Sequence, residues 1–356
     1  MINANLNSVP CLAYTTTKGK AYQGDSRLVL ESKVIDAGSV DLIFTSPPFS
    51  LTRPKDYGNK PHDEYLSWFD TFVPVWQSLL RDTGSLVIDV GGSYLPGAPK
   101  RSTYHFELAA RLARHFDLCQ EFYWYNPAKL PGPAQWTNID RIRVKDSVNL
   151  ILWFAKDASK TKADNRRVLK RYSASMDALL KNGYQIRKRP SNHNITDKFM
   201  VDNKGAIPPN LLGFADGDQS DLHGQPFDAL FDNILAVSNT ISNDTYLAEC
   251  RLNGVKPHNA RFPKGLPAFF IEFLTEQNDV VFDPFAGSNT TGEVAEALGR
   301  KWVSCELDAE GKFAGTYVRS SAFRFESPRF EAGFETLPDE KWVSQAKRIR
   351  PKSVKF

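Results

Sequence analysis

Hydrophobic residues along this chain fall into short runs of strand length separated by longer stretches with helical spacing. Residues 41–45, 85–92, 121–125, 147–155, 279–282 and 301–305 are near-continuous apolar segments, the pattern of strands buried on both faces. Tyr22-Gln23-Gly24-Asp25-Ser26 closes a further short strand. Between these runs, residues 27–35, 63–81, 103–116 and 266–275 place apolar side chains at helical intervals. Pro74 is expected to kink the second helix, and Asp82-Thr83-Gly84 to stop it. Alternation of buried strands and amphipathic helices predicts an α/β fold: a mostly parallel twisted sheet with helices on both faces. The rhythm lapses between about 156 and 256, where Asn, Gly, Asp and Ser clusters and Pro208-Pro209 break the periodicity. So long a stretch is expected to be a small inserted domain rather than a structureless loop.

Composition adds little to that picture, and charge distribution adds more. The 356 residues, 41% hydrophobic and 24% charged, suit a soluble globular chain. No run reaches the roughly 18 apolar residues of a membrane span, and the first residues lack the features of a signal peptide, so a cytoplasmic location without membrane contact is expected. Cys11, Cys119, Cys250 and Cys305 are far apart with no Cys-x-x-Cys pair, which predicts reduced thiols and no metal site. The net charge is only +4, yet residues 156–204 carry thirteen Lys or Arg against five Asp. Residues 205–250 have no Lys or Arg and seven acids, and residues 341–356 have six Lys or Arg and no acid. A polyanionic partner fits such segregation.

Two loops carry candidate chemistry. The run Val40 to Thr45 ends in Ser46-Pro47-Pro48-Phe49, a hydroxyl, two prolines and an aromatic ring: a rigid polar loop at the end of a buried strand, suited to work on a planar base. The run Val280-Val281-Phe282 ends in Asp283-Pro284-Phe285-Ala286-Gly287-Ser288-Asn289-Thr290-Thr291-Gly292, a tight glycine turn into a helix starting near Thr290. Such a turn presents backbone N–H groups to a nucleotide-like ligand. Glu306 ends the next strand, 23 residues after Asp283, where an acid grips ribose hydroxyls in dinucleotide folds.

Together these residues resemble the S-adenosylmethionine-dependent DNA amino-methyltransferases in their permuted β arrangement, with the catalytic motif first and the cofactor motif last. Arg261-Phe262-Pro263-Lys264-Gly265-Leu266-Pro267 resembles the segment lining the methionine end of the cofactor pocket, and Tyr22-Gln23-Gly24-Asp25 the element whose acid approaches the adenine. The resemblance covers roughly residues 20–155 and 255–310. It implies a circularly permuted Rossmann-like methyltransferase fold with a small inserted DNA-recognition domain: a catalytic half at 1–155, the insert at 156–256, a cofactor half at 257–320 and a basic extension at 321–356. It implies S-adenosylmethionine as cofactor, with Asp25, Phe262, Pro263, Asp283, Pro284, Phe285, Ala286, Gly287, Ser288, Thr290, Thr291 and Glu306 around it. Asn289 departs from the pattern, standing where many members carry Gly.

Ser-Pro-Pro followed by an aromatic is typical of the members that methylate cytosine N4, so Ser46 favours the cytosine-N4 enzymes of restriction–modification systems over adenine-N6 ones. In that family the Ser46 hydroxyl and the Pro47 carbonyl would hold the exocyclic amine, Pro48 would keep the loop rigid, and Phe49 would stack on a flipped base. The expected substrate is double-stranded DNA bearing a specific short sequence, methylated by a monomer, with a cognate endonuclease cutting the same site without contacting it. Arg53, Arg166, Arg167, Lys170, Arg171, Arg187, Lys188 and Arg189 are the candidate DNA-binding residues. A non-catalytic DNA-binding protein on the same scaffold is the alternative from another class, disfavoured by two intact motifs.

Overall fold

The computed structural model describes residues 9–50, 60–126, 129–183, 201–212, 245–255, 257–258, 261–307 and 316–331. In chain order the strands are β1 (Cys11–Thr15), β2 (Gly19–Gln23), β3 (Val40–Thr45), β4 (Leu80–Val90), β5 (Asp117–Tyr125), β6 (Val148–Ala155), β7 (Leu211–Leu212), β8 (Val280–Asp283), β9 (Lys301–Glu306) and β10 (Arg329–Phe330). The helices are α1 (His62–Asp70), α2 (Val73–Leu79), α3 (Tyr104–Leu112), α4 (Ala174–Asn182), α5 (Thr245–Leu252), α6 (Gly265–Leu274), α7 (Thr290–Ala297) and α8 (Thr316–Ser321). No described helix is long and apolar enough to cross a membrane.

All ten described strands form one sheet in the order β10-β1-β2-β9-β8-β3-β4-β6-β5-β7. Strands β2, β9, β8, β3 and β4 are mutually parallel. β6 is wedged antiparallel between β4 and β5. The sheet is therefore mostly parallel, as expected, and the permutation is visible in it: β8 and β9, from late in the chain, occupy the centre beside β2 and β3 from its start. Residues of β3 serve two cores, on opposite faces of the sheet. Leu42 and Phe44 pack with α6 and α7 residues such as Phe270 and Val294, whereas Val40 and Ile43 pack with Phe69, Trp76 and Leu79 of α1 and α2. That double burial is why the strand reads as a near-continuous apolar run.

Three local expectations differ from the structure. Residues 27–35 do not form an α-helix; Ser26–Leu28 is a single 3-10 turn. The N–H groups of Val34 and Ile35 both donate to the Val29 carbonyl at 2.9 and 3.2 Å, and Lys33 takes φ 57°, so the chain curls back instead of propagating a helix. The segment at 63–81 is two helices, because Pro74 lies in the first turn of α2, where a missing N–H costs nothing. Asp82-Thr83-Gly84 does not end a helix but lies inside β4, where a register irregularity against β3 falls between Val40 and Leu42.

The segment after 155 is only partly separate from the sheet. Lys162 bridges Asp41 and Asp279 at 2.8–2.9 Å, Val168 is in the core, and β7 adds to the edge of β5. Residues 321–331 likewise belong to the body rather than to an appended extension. Phe325 stacks on Trp302 with ring centroids 5.0 Å apart, and β10 pairs with β1. Residues 332–356, including the basic tail, lie outside the described residues.

Candidate active site

Parallel strands place all their C-terminal ends on one edge of the sheet, and chain order changes direction between β8 and β3, where doubly wound sheets bind ligands. Ile43 of β3 lies opposite Phe282 of β8, so the strand ends at Thr45 and Asp283 come side by side although 238 residues separate them. The Thr45 hydroxyl donates to Asp283 Oδ1 at 2.8 Å. This bond joins the two motifs found in the sequence.

Asp283 is buried and also accepts from the Phe285 N–H at 3.1 Å and the Thr291 hydroxyl at 2.6 Å. Burial pushes its carboxyl up to about 6, against the pull of those hydrogen bonds. Ser288, Thr290 and Thr291 are buried as well, and Arg324 donates to the Ser288 carbonyl at 2.6 Å from behind the turn. These polar side chains brace the turn, in which Phe285 and Ala286 are half-buried and the Phe285 ring packs on Phe72 and Trp68. Ala286 donates its N–H to the Cys305 carbonyl at 3.1 Å. Gly287 adopts φ 51° and donates its N–H to Glu306 Oε2 at 2.6 Å; a β-carbon there would meet the His258 ring at 3.0 Å. Asn289, the departure from the family pattern, has a structural explanation: it sits at φ 56°, ψ 40°, and its side chain caps α7 by accepting from the Gly292 N–H at 3.1 Å. Asparagine tolerates the left-handed conformation and caps helices, so it substitutes for glycine here.

The remaining cofactor candidates lie around this turn. Asp25 caps the 3-10 turn, and its carboxylate accepts from the Arg27 backbone N–H at 2.9 Å and from the guanidinium Nε at 3.0 Å. Arg27 in turn lies over the Phe72 ring. Phe262 meets Phe44 edge-on at 5.6 Å, and Pro263 is buried at the entry to α6. Pro284 is buried in the turn itself.

On the other side of the junction, Pro47 is buried while Ser46, Pro48 and Phe49 are half-buried. The Phe49 ring lies against Gly91, where a β-carbon would come within 2.5 Å of it. The Ser46 hydroxyl donates to Asp89 Oδ2 at 3.1 Å, Asn149 donates to Asp89 Oδ1 at 3.1 Å, and Lys129 Nζ donates to Asn149 Oδ1 at 3.1 Å. Burial raises the Asp89 carboxyl to about 6, offset by the bonds from Ser46 and Asn149; burial lowers Lys129. Motif reading missed Asp89, Asn149 and Lys129. Their signal was a polar residue interrupting an apolar strand, Asp89 within Leu86-Val87-Ile88-Asp89-Val90 and Asn149 before Leu150-Ile151-Leu152, since a buried carboxylate is retained only with partners.

Two of the DNA-binding candidates lie at the other end of the strands from Ser46. Arg167 donates to the carbonyls of Thr275 and Phe273 at 2.7 and 3.3 Å and to that of Lys162. Arg166 pairs with Asp164, whose own N–H reaches Phe273. Thr275 precedes β8 and Lys162 binds Asp41 at the start of β3, so both arginines sit at the strand-entry edge, a full strand length from Ser46. Sequence reading could not see that the chain doubles back along the sheet here. Arg167→Ala is expected to lower stability by about 2 kcal/mol, as the guanidinium bonds to buried carbonyls are lost, without changing the salt dependence of DNA binding; denaturant midpoints and a salt titration check both. Lys170 pairs through its backbone with Ala206, and Arg171 is exposed. Arg53, Arg187, Lys188 and Arg189 lie outside the described residues.

A family model described as DNA methylase matches residues 40–312, and the chain belongs to that family. It is 45% identical over 318 residues to the type II methyltransferase M.PvuII of Proteus hauseri, covering 88% of this chain and 85% of that protein. It is 24% identical to the type II methyltransferase M.BglII of Bacillus subtilis, covering 85% and 69%. Among solved structures, the cytosine-N4-specific PvuII DNA methyltransferase superposes with a TM-score of 0.65 at 39% identity over 95% of this chain and 94% of that one.

Proposed function

We propose that this protein methylates N4 of cytosine in double-stranded DNA, as the modification enzyme of a restriction–modification system. The observation that carries the reading is the direction of one hydrogen bond. Ser46 gives its proton to Asp89, so its oxygen presents lone pairs to whatever enters the site. An exocyclic amine is a poor nucleophile while its lone pair is delocalised into the ring. Accepting its two N–H bonds at the Ser46 oxygen and the Pro47 carbonyl draws that pair out of conjugation. Ser at position 46, and the likeness to the cytosine-N4-specific PvuII DNA methyltransferase, support cytosine over adenine.

The turn 284–288 suits S-adenosylmethionine. Gly287 takes a left-handed turn that leaves no room for a β-carbon against His258, and Glu306 stands at the neighbouring strand end, accepting from the Gly287 N–H. Bound there, the cofactor supplies an electrophilic methyl group on sulfonium. The chain's own residues do the rest. Ser46 and Pro47 orient N4, and after transfer the surplus proton on N4 passes to the Ser46 oxygen as the Ser46 proton moves to Asp89, whose carboxyl near 6 makes it an acceptor at neutral pH. A stacked base cannot reach this edge, so the cytosine must leave the duplex, with Phe49 as its flat partner. Incubating unmodified DNA with the protein and labelled S-adenosylmethionine, then resolving nucleosides by mass, is expected to show label in N4-methylcytosine. Label confined to N6-methyladenine, or none, overturns the proposal.

A further inference from the structure

We infer that the connection from β5 to β6 is a preformed wedge that enters the duplex beside the extruded base, its apolar tips filling the stack and its basic residues meeting phosphates. This rests on the methylase function above. Five of the thirteen exposed large hydrophobic residues among those described fall between Leu130 and Val148. Leu130 is 83% exposed, Ile139 67%, Ile142 50% and Val144 88%, so the connection packs none of these tips into the protein. Interleaved with them are exposed Arg141, Arg143 and Lys145. Of the two acids of the connection, Asp146 pairs with Arg101 and Asp140 accepts from the Gln135 amide. An apolar tip set among cations suits a partner that offers both a hydrophobic interior and a polyanionic rim, which a DNA stack does.

Position and stiffness support the same occupant. β5 is parallel to β7, both run with β3, and β6 returns antiparallel, so this connection lies on the edge that carries Ser46. Asn126 donates its N–H to the Ser147 carbonyl at 2.7 Å, closing the root. Lys129 is the outermost member of the Ser46-Asp89-Asn149 chain. Trp136 packs on Tyr94 at 5.1 Å, and Arg143 donates to the Pro99 carbonyl at 2.7 Å, bracing the connection on the β4–α3 loop. Beyond the single π turn at Gln135–Ile139, the N–H groups of Ile142 and Arg143 both return to the Trp136 carbonyl, with Arg141 at φ 55°. A tip held this way in the free protein loses little freedom on binding.

The test uses the full chain, labelled S-adenosylmethionine and two synthetic duplexes carrying the site mapped by sequencing DNA from cells that express the protein. One duplex is intact; the other has an abasic position opposite the target cytosine. The combined variant Ile139→Ser, Ile142→Ser, Val144→Ser is expected to methylate the intact duplex at least tenfold more slowly than wild type, but the abasic duplex within threefold. Its melting temperature and S-adenosylmethionine affinity should be unchanged. Val144→Ser alone, at the most exposed position, is expected to show the same trend if the triple variant folds poorly. Arg141→Ala with Lys145→Ala should lower the slope of log affinity against log salt by about 1 to 2. Equal rates for variant and wild type on the intact duplex, or an equal loss on both duplexes, overturns the wedge. No incorporation by wild type into either duplex refutes instead the methylase reading on which the wedge rests.

Discussion

Asp89→Asn is expected to slow methyl transfer by about 10²- to 10³-fold, the usual range for removing a positioned proton acceptor, while S-adenosylmethionine affinity stays within about twofold. Asparagine has one acceptor where aspartate uses two. Its amide nitrogen must face either the Ser46 hydroxyl or the Asn149 amide, both of which donate to Asp89 at 3.1 Å. Facing Ser46, it turns the serine into an acceptor and occupies the lone pair meant for the base. The pH dependence carries a sign that separates this from damage to the fold. Asp89 works ionised, so kcat should fall as pH drops through about 6, and that limb should vanish in the variant. Stability runs the other way. A carboxyl raised by burial from 3.8 to about 6 contributes stability that is present at low pH and lost as pH rises through 6, a loss of about 3 kcal/mol. The variant should therefore be at least as stable as wild type at pH 7 while nearly inactive. A kcat profile from pH 5 to 8 beside denaturant midpoints measures both, and an unchanged acid limb in the variant would assign it to another group.

Asp283→Ala is expected to abolish measurable S-adenosylmethionine binding, raising Kd by roughly 100-fold or more for about 3 kcal/mol lost. Three donors converge on this carboxylate: the hydroxyls of Thr45 and Thr291 and the Phe285 N–H. Alanine leaves all three buried without an acceptor, at about 1–3 kcal/mol each, and only relief of the buried charge, about 3 kcal/mol, offsets that. The turn and the catalytic loop lose the bond that joins them. Asp283→Asn keeps an acceptor for Thr45 and Phe285, and the Thr291 hydroxyl can rotate to accept from the new amide. It should therefore bind within about tenfold of wild type and lose the stability change near pH 6. Calorimetry with S-adenosylmethionine on the two variants decides, and wild-type binding by the alanine variant would remove Asp283 as the organiser of the turn.

Legibility differs by residue for physical reasons. Ser46-Pro47-Pro48-Phe49 and the turn at 283–292 could be read because each is a local device, a strand ending in residues that dictate their own backbone. Asp89 and Asn149 were not read because their partnership crosses from β4 to β6, 60 residues apart, and each alone looks like a flaw in an apolar strand. Arg166 and Arg167 could not be placed at the strand-entry edge from the sequence, because charge density says nothing about which edge of a sheet a segment visits. Arg324, 2% exposed and clamped on the Ser288 carbonyl and Glu293, looked like one more basic residue of a C-terminal extension.

The sequence by itself determined the alternation of strand and helix, the parallel sheet, the order of the two motifs and the chemistry each could support, because periodicity and turn residues act over a few positions. Tertiary structure alone decided that Thr45 meets Asp283, that the cofactor motif's polar side chains brace the turn, and that the Ser46 hydroxyl donates to Asp89. Those facts follow from register between strands far apart in the chain, where one residue of slip turns every side chain to the other face of the sheet.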